Sequence, residues 1–167
     1  NFAPEGNIVA TVPPGTGMMI MANDQVEIFN NRFRDNKTVN LAITSYYVAN
    51  KPIQDKSYDP YPEGIYVHDN TFSGGGDAPS GLVVKLLALK MGKPFPDILY
   101  DGVINTKKLT PAGTLPDELR ICIRNNGDAD FANIDLWNDK ENIPRDLAHH
   151  DCAHPSPEPV KLSGASP

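Results

Sequence analysis

The stretch YPEGIYVHDNTFSGGGDAPSGLVVKLL, residues 61–87, sets His68, Asp69 and Asp77 beside Tyr61, Tyr66 and a run of glycines. An imidazole among carboxylates is the equipment of general acid–base chemistry when it is aimed at a substrate, and turn-forming polarity when it is not. Two other runs are dense in ligand atoms. HHDCAH (149–154) offers His149, His150, Cys152 and His154, which zinc or copper accepts. NGDADFANID (126–135) offers Asp128, Asp130 and Asp135 to calcium, without the spacing of an EF-hand loop. GGGDAPSG (74–81) lacks the Gly-Lys-Ser/Thr sequel of a phosphate loop and carries one Asp, so it reads as turn chemistry. Neighbouring ligands on an extended chain converge on an ion only where a turn holds them. The expectation is therefore no bound metal or cofactor, with Ca²⁺ at 126–135 as the one ion to test.

Whether the first stretch is a site depends on whether it occurs once. VEIFNNRF (26–33) matches IYVHDNTF (65–72) position by position, and ICIRNNGD (121–128) keeps Ile121, Ile123 and Asn126. Each is an alternating apolar strand that closes on an Asn turn. A looser series follows: TGMMIMA (16–22), VNLAITS (39–45), SGLVVKL (80–86) and FANIDLW (131–137). Its inward candidates are Met18 and Ile20, Leu41 and Ile43, Leu82 and Val84, then Ile134 and Leu136. Strand, Asn turn, strand and variable loop, repeated, is the pattern of a coiled solenoid whose turns bury one face by stacking. Asn tolerates left-handed backbone, and the amides of Asn31, Asn70 and Asn126 can bond from turn to turn. A β-sandwich also alternates, but does not require Asn and Phe at fixed offsets after matching strands.

The 167-residue chain is long enough for one domain with a core. Its net charge of −6 gives no electrostatic reason to bind nucleic acid or an anionic membrane. No apolar run is long enough to span a bilayer; Leu82–Leu89 is interrupted by Lys85. Sixteen Pro and thirteen Gly favour turns over helices.

GIYVHDNTFSGGG, with VEIFNNRF before it, resembles the right-handed parallel β-helix repeat proteins of the pectate-lyase-like superfamily. More narrowly, YDPYPEGIYVHDNTFSGGG, PDILYDGVI and the terminal HDC resemble a group of bacterial extracytoplasmic β-helix proteins. The resemblance covers about residues 1–152. It implies an all-β, right-handed parallel β-helix of about three coils over 1–138, with insertions at 46–63 and 90–118 on one side and a Pro-rich tail at 139–167. It implies a periplasmic or secreted location. Catalysis, in such enzymes, sits on outward strand residues. Here Glu27, Tyr66 and Cys122 would form one column, and Phe29, His68 and Arg124 the next. Arg124 could hold a uronate carboxylate while His68 or Tyr66 takes a proton beside Glu27; the competing reading is a solvated sheet face.

In an oxidising compartment Cys122 and Cys152 read as a disulfide tying the tail across the last coil, against the metal reading of HHDCAH. Within the insertions, Tyr46, Tyr47, Tyr58 and Tyr61 stand beside Asp55 and Asp59, where they either grip a polysaccharide or protein, or pin the loop. ILYDGVI (98–104) reads as a small hairpin turning at Asp-Gly. Asn1-Phe2 resembles an Asn turn closing an earlier strand, so preceding coils, covalent or in a separate chain, are the expected partner at the N-terminal edge. The functional expectation is an extracytoplasmic interaction module presenting its loops. The alternative is a polyuronate lyase or epimerase acting through Glu27, Tyr66, His68 and Arg124.

Overall fold

The computed structural model of the chain describes residues 3–4, 6–92, 94–138 and 143–158; the Asn1-Phe2 turn lies outside them. Among the described residues nine short strands form three sheets, and every pairing is parallel. β1 (Thr16–Met21), β4 (Val39–Thr44), β7 (Ile98–Tyr100) and β9 (Phe131–Asn133) make the largest. β2 (Glu27–Phe29), β5 (Ile65–His68) and β8 (Ile121–Arg124) make the second, and β3 (Arg32–Arg34) with β6 (Thr71–Ser73) the third.

Alternation places one face of each strand inward, and the parallel register turns those positions into ladders. Met18, Leu41, Ile98 and Phe131 are aligned across the first sheet, and Ile28, Val67 and Ile123 across the second. Phe33 stacks on Phe72 at 4.8 Å between ring centres. These residues, with Ile43, Ile65, Tyr100 and Ile121, form one inner core.

The corners are held by asparagine. The backbone N–H and side-chain amide of Asn31 both donate to Asn70 Oδ1, at 3.0 and 3.1 Å. Asn70 repeats the pair on Asn126 Oδ1, both at 3.1 Å. Asn126 closes the ladder by donating to the Val67 carbonyl. The left-handed backbone falls one residue earlier, at Asn30, Asp69 and Asn125, with φ of 55°, 51° and 55°. Turn geometry and ladder bonding are thus divided between adjacent residues, each short and polar.

The all-β, closed solenoid expected from the repeats is not what the chain forms. It is a mixed structure of several short parallel sheets, with 3₁₀ turns at Ile8–Thr11, Tyr46–Ala49, Thr106–Lys108 and Asp117–Leu119. It also has an α-helix, α1 (Leu82–Met91), where SGLVVKL was expected to be a strand. The segment LVVKLLALKM contains good helix formers and no Gly or Pro, and ends where the Gly92 N–H bonds the Ala88 carbonyl. Val84, Leu87, Ala88 and Met91 recur at helical spacing and pack on Val39, Ala42, Leu99 and Ala132, the outer side of the first sheet. Leu82, expected in the core, is 77 % exposed, as Leu89 is at 81 %. Because α1 covers that side, all six residues of β4 are buried, and β4 has no solvent face.

The third strand of the first sheet is instead Ile98–Tyr100, so ILYDGVI is not a hairpin. Its Asp101 is buried, accepting from the N–H and hydroxyl of Ser45 at 2.6 Å and from the Val103 N–H. Gly102 follows at φ +76°, where a Cβ would lie 2.9 Å from the Asp135 Cα. Asp-Gly therefore makes a buried bend rather than a two-residue hairpin loop. In the last strand Phe131 is the inward residue; Ile134 packs on the α1 side and Leu136 is partly exposed. The expected 90–118 insertion is split by β7 into the α1 segment before it and 101–120 after it.

Candidate functional site

The outward face of the second sheet brings the four catalytic candidates into adjacent columns. Glu27 aligns with Tyr66 and Cys122, and Phe29 with His68 and Arg124. His68 lies over Tyr66 with ring centres 4.0 Å apart, and on its other side near Phe29 at 5.5 Å. Its Nε2 is 3.0 Å from Glu27 Oε1 and its Nδ1 2.7 Å from Asp69 Oδ2. Burial would lower its pKa, but the hydrogen bonds to Asp69 and Glu27, with their charge, raise it overall. An imidazolium donating from both nitrogens has no lone pair to accept a proton, so this arrangement suits a clamp better than a general base. Arg124 points to Asp151, 3.7 Å away.

The C-terminal tail crosses the same face. Cys122 and Cys152 are joined by a disulfide, as expected, although Cys122 is buried beneath the tail rather than open. The Ser156 hydroxyl donates to Glu27 Oε1 at 3.0 Å. His154 Nε2 bonds the Arg120 carbonyl at 2.9 Å, with its ring edge toward Tyr66. His150 turns under the last strands: its Nδ1 bonds the Ile121 carbonyl, and its carbonyl accepts from the Ile123 N–H at 2.7 Å. The ring packs on Tyr100 and Phe131, and burial lowers its pKa. Beside it lies a cavity of about 480 Å³ lined by Tyr100, Leu115, Arg120 and Ile121.

The metal candidates do not converge. Cys152 is in the disulfide, and His150 and His154 bond separate carbonyls. His149 lines the cavity. Asp130 pairs with Arg145 at 2.8 Å and bonds the Asp97 N–H, while Asp135 accepts from Asn138 and Asp128 is exposed. Among the described residues, the group with carboxylate oxygens close enough to share an ion is Asp24, Asp59 and Glu63, none of which the sequence singled out as a ligand.

The loop 46–63 carries the tyrosines as two pairs. Tyr46 meets Tyr58 edge-on at 5.3 Å, and Tyr47 meets Tyr61 at 5.8 Å. Trp137, 60 % exposed, extends the second pair by packing on Tyr47 at 5.2 Å. The hydrogen bond with Tyr47 and burial push the Tyr61 phenol up to about 12. Tyr46 and Tyr58 wall a groove of about 370 Å³ with Lys51, Gln54 and Asp55. Lys108, from the 101–120 loop, bonds Asp59 Oδ2 and Glu63 Oε2, joining the two loops at their base. These two partners raise the Lys108 pKa. No local pattern marks Lys108 or Trp137, because the partners of both lie far along the chain.

No family model matches the chain, and neither a curated protein nor a solved structure matches it.

Proposed function

We propose that the chain is an extracytoplasmic binding module that presents its loop face to an extended carbohydrate chain. The observation that carries this reading is the contrast between its two polar faces. The strand face with His68 lies under a disulfide-fastened tail, whereas the loop face exposes Trp137 on Tyr47, and Tyr58 beside a mainly apolar groove that carries Lys51, Gln54 and Asp55. Aromatic rings flanked by amide and carboxylate groups suit a sugar ring, which has an apolar face and a hydroxyl rim. The disulfide supports an oxidising compartment, and among the described residues no helix is long and apolar enough to cross a membrane.

Trp137 is the sole tryptophan, so its fluorescence reports directly on the face. Titration with neutral and uronate oligosaccharides should shift its emission saturably, and Tyr47→Ala should abolish the shift. No response to any sugar, with binding instead to a protein partner, would replace carbohydrate by protein as the ligand. Turnover of alginate or pectate that is lost in His68→Ala would overturn the non-catalytic reading in favour of a lyase or epimerase.

A second reading concerns assembly. Among the described residues β1, β2 and β3 are paired on one side only, and Met18, Ile20 and Val26 on that edge are only partly buried. Unpaired parallel edges with apolar residues favour further strands as the partner. The isolated chain should then self-associate with rising concentration, and Val26→Lys should suppress this in light scattering. A monomer at all concentrations would remove the reading.

A further inference from the structure

The loop-face reading makes no use of the acidic group at the base of the loops. We propose that Asp24, Asp59 and Glu63 bind one divalent cation of the calcium type, fastening the first turn of chain to the loop base. This goes beyond sugar binding and stands on separate observations.

The three residues come from different places. Asp24 lies between β1 and β2, and Asp59 and Glu63 at the end of the 46–63 loop, with Asp24 and Glu63 in a parallel bridge. One carboxylate oxygen from each lies within 4.8 Å of the others. Three oxygens evenly spread around a shared Ca²⁺ at 2.3–2.6 Å can be about 4.5 Å apart, so a separation within 4.8 Å is a small side-chain rotation away from calcium geometry. Magnesium, at 2.0–2.1 Å, needs them closer, at about 3.6 Å.

Glu63 supplies the second and independent observation. It is 2 % exposed, and its Oε1 is buried with no hydrogen-bond partner. A buried carboxylate oxygen left bare is strongly unfavourable, and such groups are normally paired or bound to metal. Lys108 does not resolve this. Its ammonium takes Glu63 Oε2 and Asp59 Oδ2, and the Tyr61 N–H donates to Asp59 Oδ1, so Glu63 Oε1 is the oxygen left without a partner. Three carboxylates against one ammonium leave two negative charges, the charge a divalent ion neutralises. Three carboxylates beside a lysine make a weak site, of the affinity of extracellular modules, with Kd of roughly 0.1–1 mM.

The test uses the full chain. Tyr61 and Tyr58 are close enough to Asp59 to feel its charge, so terbium bound at the site should luminesce on tyrosine excitation, at one equivalent, and be displaced by CaCl₂. At 10 mM, CaCl₂ should raise Tm by a few degrees over NaCl of equal ionic strength, and more than MgCl₂ does. Asp24→Asn and Glu63→Gln should each lose both signals, and Asp128→Asn should keep them. Asp24 is exposed, so its variant should fold even where Glu63→Gln does not. An equal Tm shift with NaCl, or unchanged calcium response in Asp24→Asn, would overturn the site.

Discussion

The two ends of the stacked strands are finished differently. At the last end the tail satisfies the outer edge. The Ile123 N–H donates to His150, Asn133 donates to Pro144, and Ile121 and Arg120 carbonyls take His150 and His154. His150 and Leu147 cover the core beneath Phe131 and Tyr100. At the first end β1, β2 and β3 have no described strand beyond them, and Met18, Ile20 and Val26 remain partly open. The same backbone geometry thus produces a sealed edge and a receptive one. What differs is a disulfide-held segment with no strand of its own, and it is this segment that also covers His68.

Breaking the seal should have the largest effect. Cys122→Ser with Cys152→Ser opens a link spanning 30 residues and should cost about 3 kcal/mol in denaturant unfolding, because the tail regains its freedom. The double variant should also self-associate, since both edges are then receptive. Loss of stability without association would mean the tail does not seal the edge.

The Asn ladder gives a graded comparison between the ends. Asn70→Ala, in the middle, removes an acceptor from Asn31 and a donor to Ile28, His68 and Asn126, the Ile28 and Asn126 bonds being buried, and should cost about 2 kcal/mol. Asn31→Ala, at the open end, removes the side-chain donor to Asn70 Oδ1 but keeps the backbone N–H that also donates to it, and should cost about 1 kcal/mol or less. Equal costs would show that the first end is as enclosed as the last.

A smaller but sharper contrast lies in pH. His68 has a raised pKa, so its contribution is complete below the unfolded value of about 6.5 and is lost as pH rises through the folded value. His150 has a lowered pKa. The unfolded chain takes up a proton there first, and stability falls as pH drops below about 6.5. Stability of His68→Gln relative to the parent should be worst near pH 5.5 and recover by pH 8.5. His150→Asn should lose packing at every pH but decline less on acidification. Identical pH profiles for the two variants would contradict the opposed environments.

The parts of this structure legible in the chain are those that recur locally. The Ile-x-Val/Ile strands and their Asn corners repeat at matching offsets, so the register of Glu27, Tyr66 and Cys122, and of Phe29, His68 and Arg124, follows from alignment of the copies. The Asn ladder follows from the same alignment, and the disulfide from the need to fasten a Pro-rich tail. What stayed hidden is set by long-range contacts. SGLVVKL alternates as a strand would, but its continuation to Met91 supplies the Leu, Ala and Lys of a helix that packs on β4 and β7. Ile98–Tyr100 looked like a hairpin arm because Asp101 and Gly102 carry turn chemistry, here used to bond Ser45. The Asp24, Asp59, Glu63 and Lys108 group is assembled from three segments with no shared motif.

Amide hydrogen exchange, read residue by residue in the intact chain, tests the difference between the ends most directly. Ile123 and Asn133 should be strongly protected and Phe29, whose N–H points away from β5, weakly so, and the Cys122→Ser, Cys152→Ser double variant should bring Ile123 down to the level of Phe29. Equal protection of Phe29 and Ile123 in the unmodified chain, or an Ile123 amide unaffected by loss of the disulfide, would contradict the sealed and open ends.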